Sequence, residues 1–483
     1  MTILVAVTAA LALLASPPPA SAVPDVRTIP AVIRAVPGAT PLRYVRLRMD
    51  VTAYGVPGRG EIVVDRTLGR FVRSFDAGPV SEREGWDGAH AWRADATGMP
   101  RIQGNVDERG IIRAWSRLLA PPPNDGPCDC GSRAPDVATD PASGHVTSVA
   151  LHVGDETQHA AFGAYARASS LTVPLAIALT SNNGTWTARV HATDQLRTVP
   201  PDTFAPPPEP HDAALRGIAS VPISGGAADA PIVAVSVNHA APLRFLLDTG
   251  GQNAITPGAA QRAGLNVVGA GTVGGAGAGL ASVRYATARS VQIGAAELRD
   301  QPFVILDFDG APFDGIIGYE LFARFAARLD FAKETLQLAA DARAFPGSGV
   351  IVPMTFDERQ PQVDGALDGI PGVVTIDTGS VSGADVNAPF VRAHDLVARY
   401  HATPMGSPIR GIGGTVRASA ARAAELRLGD LRIRDVPLLL TDATAGFQAN
   451  PTVAINLGDR VLRRYTLVFD YRGGTIRFDP PSR

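Results

Sequence analysis

Phe245-Leu246-Leu247-Asp248-Thr249-Gly250 recurs 129 residues later (377 − 248) as Val374-Thr375-Ile376-Asp377-Thr378-Gly379. In both copies an apolar run reads as a buried strand, and Asp-Thr-Gly reads as the tight turn that ends it. A further strand-like segment precedes each copy, Ile232 to Val237 before the first and Val363 to Leu367 before the second. The match continues downstream. Gly318-Tyr319-Glu320-Leu321-Phe322-Ala323-Arg324-Phe325 parallels Gly458-Asp459-Arg460-Val461-Leu462-Arg463-Arg464-Tyr465. Leu329-Asp330-Phe331 then parallels Phe469-Asp470-Tyr471, and Thr335-Leu336-Gln337-Leu338 parallels Thr475-Ile476-Arg477-Phe478. No gap interrupts this stretch, since 330 − 318 and 470 − 458 both equal 12. A lone Asp-Thr-Gly is usually a turn with a capping aspartate. Two of them inside one ordered repeat mark a duplicated unit: strand, Asp-Thr-Gly, Gly-rich hairpin, apolar-apolar-Gly, short helix, strand.

Over residues 215–483 the repeat resembles the aspartic peptidases of the retropepsin/pepsin type. The resemblance implies a mostly β fold of two duplicated lobes, residues 215–345 and 346–483, each offering one aspartate from a loop after a buried strand. It makes Asp248 and Asp377 the catalytic pair, with Thr249, Gly250, Thr378 and Gly379 supporting the site. Ile316-Ile317-Gly318 fits the family's apolar-apolar-Gly piece, whereas Asn456-Leu457-Gly458 departs from it at Asn456. The chemistry explains why two copies are needed. Hydrolysis without a covalent intermediate requires a base to activate water and an acid to polarise the carbonyl. Two carboxyls about 3 Å apart cannot both ionise, so they share a proton and supply both roles. The matched Asp330 and Asp470 sit at strand ends and read as structural.

Two Gly-rich segments, Gly271 to Gly279 and Arg410 to Thr415, separate the elements of each lobe. By resemblance Gly274 and Gly275, and Gly411, Ile412, Gly413 and Gly414, are candidate flap residues; ordinary mobile hairpins are the alternative. A phosphate loop is excluded because no Gly-Lys-Ser/Thr follows. Two enzyme rivals are weak. The serine-bearing loop Gly379-Ser380-Val381-Ser382-Gly383 invites a nucleophile-elbow reading. However, Ala384 to Pro389 make a poor helix start and no histidine follows His401. The nine histidines are scattered without a His-Glu-x-x-His, so no metal and no organic cofactor are expected. A third reading keeps the scaffold without catalysis: a protease-fold protein that binds an envelope peptide, polymer or apolar ligand.

The rest of the chain is organised by proline. Residues 200–214, with Pro206-Pro207-Pro208-Glu209-Pro210, read as an extended linker. Before it, residues 23–199 read as an antiparallel β-rich (α+β) domain of unknown role. Strands are expected at Arg43 to Met49, Gly60 to Val64, Arg70 to Ser74, His145 to Val153 and Thr185 to His191. Its Gly85-Trp86-Asp87-Gly88 turn, Trp92 and the ending Pro201-Asp202-Thr203-Phe204 loosely resemble the N-terminal domain of exported bacterial aspartyl-protease-like proteins, a lipoprotein-carrier-like sheet. Residues 1–22 are an apolar run followed by Ala20-Ser21-Ala22, which fits a signal peptide although no basic residue precedes the run. Export to the periplasm or medium is therefore expected, with no stable membrane span. Cys128 and Cys130, as Cys-Asp-Cys in a Pro/Gly loop, imply no disulfide framework.

Composition agrees with a globular chain: 45% hydrophobic and 19% charged residues over 483 positions, enough for about three domains. A net charge of −2 gives no reason to expect nucleic acid as partner. The expected partner is a peptide or protein substrate. Both halves of the site lie in one chain, so a monomer suffices for catalysis.

Overall fold

The computed structural model describes residues 30–119, 135–153, 156–224, 230–275, 277–308 and 310–481. The segment 1–22, expected as a signal peptide, and the Cys128/Cys130 segment lie outside them. The Tyr44–Ala53 strand shows why the first part of the chain becomes sheet. Val45, Leu47, Met49 and Val51 are buried, while Arg48, Asp50 and Thr52 face outward, the two-residue period of a strand with one wet face. This strand lies inside an 11-stranded antiparallel sheet, between Val56–Asp65 and Gly184–Leu196. Arg70–Asp76 and Val146–Val153 belong to the same sheet. Its dry face is covered by a helix, Val106–Leu119, that the sequence reading did not single out. Ile111, Ile112, Trp115, Leu118 and Leu119 pack there against Val45, Leu47, Phe71 and Trp186. Asn105 caps the helix, its Oδ1 accepting from Asp107 N at 2.8 Å.

The proline-rich segment is packed along its course. Phe204 is buried against Tyr44, Val63, Val72 and Trp92, and its carbonyl accepts the Trp92 indole N–H at 2.9 Å. Ala213–Ala214 pairs with Ala296–Ile305 of the first lobe. Residues after this point form a mostly β, bilobal pepsin/retropepsin-like fold. Each lobe has its own eight-stranded sheet, and a third, six-stranded sheet joins them. In the joining sheet Ala326–Asp330 pairs antiparallel with Thr466–Asp470, with Ala327 opposite Phe469 and Leu329 opposite Leu467. Equivalent positions here lie 140 residues apart (458 − 318), so the duplication exchanges these two pairs and an approximate two-fold axis runs between the strands. Asp330 and Asp470 close turns, accepting from Lys333 N at 3.1 Å and Gly473 N at 2.9 Å.

A buried ion cluster ties the N-terminal sheet to both lobes. Asp95 accepts from Arg101 at 2.9 Å and from Arg359 of the second lobe at 2.8 Å. Arg324 of the first lobe reaches the Thr97 carbonyl and Asp212. Burial alone would raise the Asp95 carboxyl, but Arg101 and Arg359 hold it well below the usual carboxylate range. Asp95→Ala would leave two arginines uncompensated, which costs about 3–5 kcal/mol. The expected readout is a clear fall in the chemical-denaturation midpoint; an unchanged midpoint would contradict the role given to this cluster.

Candidate active site

Each candidate aspartate stands where a central strand runs out. Leu243–Leu247 lies between the antiparallel Ile232–Val237 and the parallel Gly315–Ile317. Phe245 and Leu247 point into the common core, and Asp248 follows with its N–H on the Ile317 carbonyl at 3.0 Å. The second lobe repeats this with Ile370–Asp377 between Gln360–Leu367 and Ile455–Gly458. Both loops turn back on their own carboxylates. Gly250 N donates to Asp248 Oδ1 and Gly379 N to Asp377 Oδ1, each at 2.8 Å.

The loops are pinned to each other through their threonines. Thr249 Oγ1 donates to the Ile376 carbonyl at 2.7 Å and accepts from Thr378 N at 3.0 Å. Thr378 Oγ1 donates to the Leu247 carbonyl at 2.8 Å and accepts from Thr249 N at 3.1 Å. Both threonines are fully buried. Four reciprocal bonds leave the loops no freedom to slide, and each carboxyl is held against the other lobe's glycine: a Cβ on Gly379 would lie 2.5 Å from Asp248 Oδ2 and one on Gly250 3.0 Å from Asp377 Oδ1. Burial, followed by the nearby Asp377 carboxylate, pushes Asp248 well above the usual carboxyl range, against a smaller pull from Gly250 N–H.

The two aspartates, one from each half of a duplicated unit, thus stand side by side at the junction of the lobes. The family model described as aspartyl protease matches residues 233–321. No curated protein matches the chain. The match spans the Asp248 loop and the Ile316-Ile317-Gly318 strand of the first lobe, and the duplication carries the same layout into the second.

The two lobes are not equal at the aspartates. Asp248 accepts from Gly250 N, whereas Asp377, beside its own Gly379 N, also accepts from Ser380 N at 3.1 Å and Asn456 Nδ2 at 2.7 Å. Asn456 is the residue at which the second lobe departs from the apolar-apolar-Gly pattern; its first-lobe counterpart is Ile316. In the sequence Asn456 shows only as a departure from the motif, with no sign of its contact with Asp377. Comparing the two copies position by position would have flagged it. Two further buried carboxyls flank Asp377. Burial, then the nearby Asp377 charge, pushes Asp459 up to about 8 against the pull of Arg463. Asp385 is pushed up to about 7 by burial, against its hydrogen bond from Ser382.

The candidate flap residues meet over the cleft. Gly277 N donates to the Ile412 carbonyl at 2.9 Å and Gly279 N to the Gly413 carbonyl at 2.8 Å. Phe447 N donates to the Gly275 carbonyl at 2.9 Å. Gly413 and Gly414 hold φ of 83° and 118°, a left-handed backbone that suits glycine. Ile412 packs against Ile316 and its apolar neighbours beside Asp248. The base of the first hairpin is gripped from the N-terminal sheet: Ala270 N donates to the Tyr54 carbonyl at 2.8 Å, and the Tyr54 and Tyr285 rings lie 5.7 Å apart. A cavity of about 800 Å³ lies elsewhere, on the N-terminal sheet among Arg48, Arg59, Glu61 and Arg83. The described residues hold no group of three or more His, Cys, Asp or Glu spaced for a metal ion.

Replacing Asn456 with isoleucine, the residue of the first lobe, removes the amide donor that positions Asp377. Cleavage is expected to slow by about 5- to 10-fold, since a lost side-chain hydrogen bond costs about 1 kcal/mol. An unchanged rate would contradict this role for Asn456.

Proposed function

We propose that the chain is an aspartic endopeptidase that hydrolyses peptide bonds with water activated between Asp248 and Asp377. The observation that carries the reading is the close approach of the two carboxyls, each packed against the other lobe's glycine, on loops locked by Thr249 and Thr378. Asp248, the partner pushed up, carries the shared proton; Asp377 receives two further donors, Ser380 N and Asn456 Nδ2. Asp377 takes a proton from water as its oxygen adds to the scissile carbonyl carbon, and Asp248 gives its proton to the carbonyl oxygen. The resulting diol collapses as the amide nitrogen is protonated and the C–N bond breaks, which restores one proton to the pair. Gly250 and Gly379 allow the close approach, and the Gly274–Gly275 and Gly411–Gly414 tips act as lids that exclude water. One chain supplies both halves, so catalysis needs no dimer, and neither metal nor organic cofactor enters the reaction.

Incubating an unfolded protein substrate with the mature chain between about pH 3 and 8 is expected to give cleavage. The new C-termini should be free carboxylates even with hydroxylamine present, because no acyl-enzyme forms. Absence of cleavage across the range would contradict the proposal, and hydroxamate products would favour a covalent nucleophile instead. Export is part of the same proposal: N-terminal sequencing of the secreted chain should begin at Val23.

A further inference from the structure

The duplication allows each position of the second lobe to be compared with its partner in the first. The strands that carry the two aspartates face the common core with one set of side chains and the cleft with the other. In the first lobe the core side is Val233, Phe245, Leu247, Ile255 and Ile317. The opposite side is a separate apolar cluster that includes Ile232, Leu246, Ala254, Val304 and Ile316. These five form one row across the sheet, since Ile232 pairs with Leu246, Leu246 with Ile316, Ile316 with Ala254 and Ala254 with Val304. Residues paired in register project from the same face.

The same row in the second lobe runs Gln362, Thr375, Asn456, Asp385 and Leu439, with every pairing preserved. Its core-side neighbours Val363, Val374, Ile376, Ala384, Val386, Ile455 and Leu457 remain apolar. Four of the five cleft-side positions are thus polar where the first lobe is wholly aliphatic. The row reaches the dyad, because Asn456 Nδ2 is bonded to Asp377. All four polar residues are at least nine-tenths buried, with exposures of 3% for Gln362, 1% for Thr375, 6% for Asn456 and 3% for Asp385. Among the described residues, Thr375 Oγ1 and Asp385 Oδ1 have no hydrogen-bond partner. A buried polar atom left in this state costs about 1–3 kcal/mol, so a fold that keeps two of them in one row is arranged for a ligand that satisfies them.

We propose that this row is a selectivity site for a hydrogen-bond-donating substrate side chain, arginine or lysine first, seated beside Asp377. The unused atoms are acceptors or hydroxyls, which suits a guanidinium or ammonium rather than a carboxylate or an aliphatic chain. The equivalent row beside Asp248 takes an aliphatic or aromatic side chain, in keeping with Ile232, Leu246, Ile316 and Val304. Substrate bonds would then be selected by a polar residue on one side and an apolar residue on the other. The inference rests on the peptidase reading for the path of the substrate, but its test need not depend on cleavage.

The test uses the mature full chain and peptides whose scissile amide is reduced to a non-cleavable CH2–NH. Four peptides carry leucine on both sides of that bond, arginine on either side alone, or arginine on both, and binding is measured by calorimetry. Arginine on one particular side is expected to bind about 10- to 100-fold more tightly than leucine there, and less tightly on the other side. Thr375→Leu/Asp385→Ala, which installs the first-lobe residues, should abolish that preference while the leucine peptide still binds. Asp385→Asn, a smaller change, should reduce it if the double variant does not fold. Equal or better binding of leucine on both sides, an arginine preference unchanged in the variants, or no binding by any of the peptides would overturn the site. Side-selective arginine binding by a chain that cleaves no parent peptide would instead sink the peptidase reading alone.

Discussion

Asp248→Asn or Asp377→Asn will each lower the rate of peptide cleavage by about 10⁴-fold or more, because either change removes one of the two proton-transfer roles. The loss follows from how the pair works. In the proposed mechanism each carboxyl can act only because of the other: one carries the proton that its neighbour has given up. An asparagine cannot release a proton as Asp248 does, nor accept one as Asp377 does. Both variants should keep the fold, since Asn preserves shape and one acceptor oxygen, and the four threonine bonds that lock the loops do not involve either carboxyl. Circular dichroism and melting behaviour close to wild type are therefore expected beside the lost rate. Loss of structure in either variant would mean that the aspartates serve the fold.

Gly379→Ala is expected to lower the rate by about 10²-fold, by a different route. A Cβ on Gly379 would lie 2.5 Å from Asp248 Oδ2 and 2.6 Å from Oδ1, far inside van der Waals contact. The equivalent atom on Gly250 would lie 3.0 Å from the Asp377 carboxyl carbon. Each glycine is thus packed against the other lobe's carboxyl, and an added methyl must push the two lobes apart at the dyad. The threonine bonds resist that movement, so the displacement falls on the carboxyl pair. Misplacement of reacting groups by about 1 Å costs about 10²-fold, and overpacking a tight site costs about 1–3 kcal/mol of stability. Gly379→Ala should therefore lose more activity and more stability than Gly250→Ala. The reverse ranking, measured by parallel kinetics and denaturation, would contradict the geometry.

Much of this was legible in the chain itself, and the reason is repetition. Asp-Thr-Gly at 248 and 377 could be read because a turn motif that appears twice at the ends of matched apolar strands leaves few other meanings. The six-stranded joining sheet follows from the gapless match around Asp330 and Asp470, whose strands pair across the approximate two-fold axis. The strands at Tyr44–Ala53 and Arg70–Asp76 were visible through alternation. The helix Val106–Leu119 is less legible: Ile111, Ile112, Trp115, Leu118 and Leu119 keep helical spacing, but Gly110 and a charged first turn interrupt the pattern. What no local pattern could reveal were contacts made across the fold. Asp95, Arg101 and Arg359 meet from two parts of the chain 264 residues apart. Asn456 looks like a flaw in an apolar motif until its amide is found on Asp377. The polar row of the second lobe emerges only once strand register shows which residues share a face.

These asymmetries change how the two lobes are understood. The backbone is duplicated, yet one lobe lines the cleft with Ile232, Leu246 and Ile316 and the other with Gln362, Thr375 and Asn456. A symmetric pair of aspartates would exchange acid and base roles freely. Here Ser380 and Asn456 donate to Asp377 alone, so the two carboxyls differ before substrate arrives.

The central claim, that Asp248 and Asp377 act as one proton-sharing unit, is tested most directly by a kinetic double-mutant cycle. Cleavage rates of one unfolded substrate would be measured for wild type, Asp248→Asn, Asp377→Asn and the double variant between about pH 3 and 8. The account predicts that each single change removes nearly all activity and that the second adds almost nothing, as for residues that work together. Losses that multiply in the double variant, or a single variant that retains wild-type activity, would show that the two carboxyls act independently and would contradict the shared site.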